Sequence, residues 1–211
     1  MSINSDINSN MQKEFLMLIR KYSDNDSYNL ECWNEIEKAY CSKSRHYHNL
    51  NHIKNMLSEL EKVSKYVREL DTLLFAIYYH DIIYKATKSD NEHQSALKFQ
   101  KRISNTTFTN IKECIAQIEA TKTHKLATDS DTNILLDIDL SILGKSPETY
   151  CAYSNNIRKE YQIYPDLMYN KGRKKVLKNM LDADSIYKTD FFKQAFENQA
   201  RTNLKRELES L

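Results

Sequence analysis

Leu73-Leu74-Phe75-Ala76-Ile77-Tyr78-Tyr79-His80-Asp81-Ile82-Ile83-Tyr84 is an apolar run interrupted by one pair of ionisable residues. Without strand alternation, such a run predicts a helix buried in the core. A histidine and a carboxylate do not sit in such a helix alone, because a buried charge is costly unless it is paired or binds a metal. His80 and Asp81 therefore call for partners. Candidates are His52, in Tyr47-His48-Asn49-Leu50-Asn51-His52-Ile53, and Asp139, in Leu136-Asp137-Ile138-Asp139-Leu140. This mixed set of nitrogen and oxygen donors suits a divalent metal that activates water.

Apolar residues recur at helical spacing on both sides of the run. Phe15, Leu18 and Ile19 predict a first helix; Leu30, Trp33, Ile36 and Tyr40 predict a second. Ile53, Met56, Leu57, Leu60 and Val63 mark a third that starts near Asn49 or Asn51, and Leu70 to Tyr78 mark the fourth. A fifth covers Glu92 to Ile103, a sixth Ile111 to Ile118, and a seventh Asp131 to Leu143, stopped by Gly144. Pro147 opens an eighth, with a tyrosine stripe from Tyr150 to Tyr164. Val176 to Leu181 and Phe191 to Leu211 complete the series. The chain has two glycines and two prolines, which agrees, because sheets joined by tight turns use both often. The predicted fold is all-α: one domain over residues 11–211, after a frayed or disordered start at residues 1–10.

Composition narrows the function classes. With 31 basic and 29 acidic residues the net charge is +2, which weighs against a strongly polyanion-binding surface and a nucleic-acid partner. The one basic cluster, Lys171, Arg173, Lys174, Lys175 and Lys178, also reads as a solvated helix face. No apolar stretch approaches about 18 residues, so no membrane partner is expected. Residues 1–10 lack an apolar signal core. The expectation is a cytoplasmic protein with Cys32, Cys41, Cys114 and Cys151 reduced. Composition says nothing about oligomeric state.

Helical spacing aims the candidate ligands inward. His80 shares a side with Leu73, Ala76 and Ile77; Asp81 lies over Leu74, Ile77 and Tyr78. Neighbours on a helix diverge by about 100°, but a metal at the helix end can meet both. Asp139 falls on the stripe of Leu135 and Ile142, and Asp137 nearer its edge. His48 and His52 form an HxxxH pair: either both bind one metal, or His52 binds and His48 stands behind it or touches substrate. Arg45 can meet a phosphate bidentately or pair with an acid. Glu92 can act as general base or only favour a helix start. His93 is a further ligand candidate, and His124 either lines the site or stabilises a helix C-terminus.

Arg45-His46-Tyr47-His48-Asn49-Leu50-Asn51-His52-Ile53, Tyr79-His80-Asp81-Ile82-Ile83-Tyr84, Asn91-Glu92 with Ser95-Ala96, Asp137-Ile138-Asp139-Leu140-Ser141-Ile142-Leu143-Gly144 and Ile157-Arg158-Lys159-Glu160-Tyr161 together resemble the HD superfamily of metal-dependent phosphohydrolases. They look closest to a bacterial branch whose members are phosphohydrolases by prediction. The resemblance covers roughly residues 12 to 208. It implies the helical HD core with added C-terminal helices, and metal ligands at His52, His80, Asp81 and Asp139. The metal would be Mn, Fe, Co, Ni, Mg or Zn. Cyclic-nucleotide branches often carry extra histidines between the doublet and the last aspartate, an interval that here holds His93 and His124.

The resulting expectation is a hydrolase acting on a small phosphorylated substrate, with nucleotides among the candidates. Asp81 or Glu92 would take a proton from water. Arg45, with Lys122 or Arg158, would hold phosphate, and His48 and His124 would line the substrate. The rival from another class is a metal-stabilised binding or regulatory protein that keeps the site without catalysis.

Overall fold

The computed structural model describes residues 3–211, with side chains described from residue 9 onward. Among the described residues there are ten α-helices, two short 3-10 turns and no strand. The fold is all-α. Contacts divide the chain into two compact units, the first ending at Lys125 and the second spanning Leu126–Leu211. The start expected to be frayed falls partly outside the described residues; from Ile3 the chain belongs to the first helix. No described helix is long and apolar enough to cross a membrane, and no disulfide joins the four cysteines.

The first unit holds α1 (Ile3–Ile19), α2 (Asp26–Tyr40), α3 (Leu50–Val63), α4 (Leu70–Tyr79), α5 (Asn91–Ile103) and α6 (Ile111–Ala120). Asparagine side chains set two of the starts: Asn25 accepts from Tyr28 N, and Asn49 from Asn51 N, satisfying donors that the first turn leaves open. Leu73 to Tyr79 of the quoted run lie in the central helix, α4. Thr72, Leu73 and Phe75 to Tyr79 are all buried, and α3, α5 and α6 pack around them. Phe75 meets Phe15, Tyr22, Phe99 and Phe108, with ring centroids 4.9 to 6.5 Å apart. Tilted and edge-on ring pairs of this kind add about 0.5–1.5 kcal/mol each beyond area burial.

The second unit holds α7 (Ser130–Asp139), a 3-10 turn (Leu140–Gly144), α8 (Pro147–Glu160), α9 (Asp166–Leu181) and α10 (Asp190–Ser210). The helix predicted to run to Leu143 thus ends at Asp139. The 3-10 turn exists because α10 and the chain before it collect its carbonyls. Tyr187 Oη donates to Leu140 O at 3.0 Å, and Asn203 Nδ2 to Leu143 O at 2.8 Å and Lys145 O at 2.9 Å.

Asp137 serves the same join. Its carboxylate accepts from Lys188 N, Thr189 N and Thr189 Oγ1, each at 2.7 Å, at the start of α10. Burial pushes this carboxyl above its usual range, against the pull of those donors. The sequence placed Asp137 at the edge of the stripe; it is instead fully buried, while Asp139 is only half-buried. Ile142 lies in the 3-10 turn and not in α7, so the 3.6-residue period that would align it with Asp139 ends at Asp139.

Gly144 packs against α10. A Cβ there would lie 2.8 Å from Phe196 O and 2.9 Å from Phe196 Cα, and helix backbone cannot yield. Gly144→Ala is expected to destabilise the protein by about 1–3 kcal/mol, the usual range for overpacking. Urea unfolding checks this; an unchanged midpoint would show that α10 shifts freely.

Arg158 also proves structural. Its guanidinium donates to Asp166 Oδ1 (2.7 and 3.0 Å), Tyr161 O (3.0 Å) and Tyr164 O (3.0 Å), and lies 4.7 Å from the Tyr169 ring. It ties the end of α8 to the start of α9. The expected phosphate contact is corrected, because each guanidinium nitrogen is engaged within the second unit. Arg173, from the basic cluster, is likewise spent on Glu207, with side chains 9% and 7% exposed.

Candidate metal centre

Three donor atoms converge at the end of α4. His52 Nε2 and His80 Nε2 are 3.2 Å apart, and His80 Nε2 is 3.2 Å from Asp81 Oδ2. One ligand atom from each of the three residues lies within 4.8 Å of the other two, and all three residues are buried. The predicted joining of the His-Asp doublet to His52 is therefore present.

Local chemistry explains how adjacent residues reach one point. His80 N makes the last helical bond, to Ala76 O at 2.8 Å. In a longer helix Asp81 N would bond Ile77 O. Instead His80 Nδ1 bonds Ile77 O at 2.9 Å, and Asp81 N turns to Tyr40 Oη at 3.2 Å. The helix stops, so the 100° divergence of helical neighbours no longer applies. The expected placement of both residues on α4 is corrected: His80 caps it and Asp81 lies beyond.

The same hydrogen bond sets the tautomer. A carbonyl only accepts, so His80 Nδ1 carries the proton, and in the neutral ring Nε2 presents a lone pair. That lone pair faces the Asp81 carboxylate and the second imidazole. A cation placed between them would meet all three donor atoms at once. For bonds of about 2.0–2.2 Å, neighbouring ligands of one ion lie about 3.0–3.4 Å apart, and the two 3.2 Å spacings match. The residues fit a divalent ion, with an Nδ1–H to backbone carbonyl bond of the kind that orients histidine ligands.

The turn beyond His80 is held at nearly every peptide. Arg45 Nη1 donates to Asp81 O (2.7 Å) and His48 O (3.1 Å), and Nη2 to Ile82 O (3.0 Å). Ser95 Oγ accepts from Ile83 N and donates to Ile83 O. Asn91 Oδ1 accepts from Lys85 N, and its Nδ2 donates to Lys85 O at 3.0 Å. The Asn91 and Ser95 of the Asn-Glu-x-x-Ser-Ala stretch thus read the backbone after the doublet. The sequence carried this signal, but not which donor met which carbonyl.

Arg45 is corrected from phosphate clamp to brace. It is 8% exposed, its terminal nitrogens serve carbonyls, and it stacks 4.8 Å from the Tyr40 ring. His48 is not on the same helical face as His52, because it lies in the bend before α3. Its ring stacks on Tyr84 at 4.1 Å, and its Nε2 stands 3.9 Å from Asp81 Oδ2. Side-chain exposure rises from 1% at His80 to 13% at Asp81 and 18% at His48. The Asp81–His48 side is therefore the open mouth.

Glu92 lies in the first turn of α5, three residues before Ser95, and is half-buried. His93 pairs with Glu119 at 2.8 Å and joins α5 to α6 rather than serving as a ligand. Lys122 is exposed in the turn after α6, where its backbone N donates to Glu119 O at 3.2 Å. His124 follows at φ 48°, left-handed backbone that a non-glycine residue seldom adopts. Asp139 ends α7 in the second unit. No family model, curated protein or solved structure matches the chain.

Proposed function

We propose that this chain is a metal-dependent phosphohydrolase for a small phosphorylated substrate, nucleotides included. The observation that carries the reading is the meeting of His52, His80 and Asp81, with the His80 Nδ1 bond to Ile77 O turning Nε2 toward the other two donors. A bound divalent ion would supply Lewis acidity toward a phosphoryl oxygen and lower the pKa of water beside it. His52, His80 and Asp81 hold that ion. Glu92 is the proton acceptor, since Asp81 is engaged as a ligand. His48, fixed by its stack on Tyr84, meets the substrate at the mouth, and Lys122 and His124 remain substrate contacts by proposal.

One observation favours the binding-protein reading instead. Arg45 and Arg158, the cations expected to hold phosphate, are both occupied by backbone carbonyls. A screen of phosphomonoesters, diesters and nucleotides separates the two. Phosphate release should require added metal, stop with a chelator and return with Mn or another transition metal. Release should fall as pH drops below about 6.5, the ordinary histidine value, because protonated imidazole does not bind metal. A metal-loaded preparation that turns over nothing in the screen favours the binding protein.

A further inference from the structure

Outside the metal centre, the first unit carries a groove of about 430 Å³ between one face of α5 and the chain after the His-Asp turn. Gln94, Leu97, Lys98 and Lys101 line its helical wall. Their three- and four-residue spacing makes them one stripe. Ile83, Lys85 and Lys88 line the other wall. From residue 91 to residue 101 the stripe runs about 15 Å at 1.5 Å per residue.

The charge in this groove is one-sided. Lys98 is neutralised by Glu35 at 2.8 Å. Asp90 is the acid that lines it, and Asp90 Oδ2 accepts from Gln94 Nε2 at 3.2 Å. The ammonium groups of Lys85, Lys88 and Lys101 have no hydrogen bond or ion pair among the described residues, although all line the same concavity. Like charges gathered in one cleft raise the local concentration of anions. The α5 helix also begins without a side-chain cap, which leaves its first amide N–H groups and their partial positive charge at the Lys85–Lys88 end. Between the charged ends lies an apolar surface, Ile83 and the 45% exposed Leu97.

We propose that this groove binds a small organic polyphosphate, its phosphates at the Lys85–Lys88 end and its organic portion over Ile83 and Leu97. The volume suits one small ligand rather than a nucleic-acid strand. The proposal does not rest on the hydrolase reading, since none of its residues donates to the metal centre.

Calorimetric titration of the full chain with ATP, and separately with inorganic pyrophosphate, tests it, with chelator present so that no metal contributes. Wild-type protein should bind ATP more tightly than pyrophosphate, and both less tightly as salt rises. Combining Lys85→Glu, Lys88→Glu and Lys101→Glu should weaken ATP binding by at least about tenfold, the sum of several exposed charge contacts, with an unchanged melting curve. Leu97→Asp should weaken ATP more than pyrophosphate. Undiminished ATP affinity in the triple variant, no ATP binding by wild type, or preference for a single-stranded oligonucleotide would each overturn the assignment.

Discussion

His80→Ala should lose bound divalent metal and, with it, metal-dependent phosphate release. The imidazole does two things at once. Its Nε2 faces both His52 Nε2 and Asp81 Oδ2 at 3.2 Å, and its Nδ1 occupies the Ile77 carbonyl where α4 ends. Alanine removes a ligand and also the group that stops the helix, so Asp81 loses its reason to turn back. The loss of affinity should exceed the about 10–100-fold typical when only an outer partner of a ligand is removed. Metal analysis after dialysis is the check, beside Asp81→Asn, which keeps shape and removes charge. Full metal occupancy in both variants would show that the three side chains share a hydrogen bond and nothing more.

Arg45→Met should be the second large effect, and its direction separates brace from clamp. The guanidinium is buried and serves three carbonyls, two of them in the turn that carries Asp81. Methionine keeps much of the apolar stem but leaves those carbonyls without partners. Hydrogen bonds to a charged group contribute about 1.5–3 kcal/mol each and are not additive, so the expected destabilisation is about 3 kcal/mol. Metal affinity should fall in parallel by about 10–100-fold, as for other supports of a ligand. Arg45→Lys should rescue only part of this, because a single ammonium cannot span the fork of carbonyls. Normal stability and metal content, with only substrate binding lost, would return Arg45 to the phosphate.

Much of the site was legible because its parts break local rules. His80 and Asp81 are conspicuous in an apolar run, and His52 lies on the buried stripe of its own helix. The order of helices followed from spacing alone. The arginines were not legible. Arg45 and Arg158 read as phosphate contacts in the sequence, yet buried Arg45 and half-buried Arg158 gather carbonyls at chain reversals. A guanidinium satisfies several carbonyls at once, so arginine serves a helix end as readily as a phosphate, and residue type does not distinguish the two. His48 looked like a helical partner of His52 until Asn49 proved to be the cap that starts α3 after it.

The sequence by itself determined an all-helical protein, because apolar periodicity and scarce glycine and proline leave no other element that buries those stripes. It also marked His52, His80 and Asp81 as candidates to meet in a buried place, which the structure brings together. Only the tertiary structure decided where α4 stops, because that depends on Tyr40 from α2 and on Arg45, both remote in the chain, offering Asp81 and Ile82 better partners than another helical turn. Only the tertiary structure decided that Asp137 is spent on the start of α10. A carboxylate's role follows from the donors that reach it, and those donors, at Lys188 and Thr189, stand some fifty residues away in the chain.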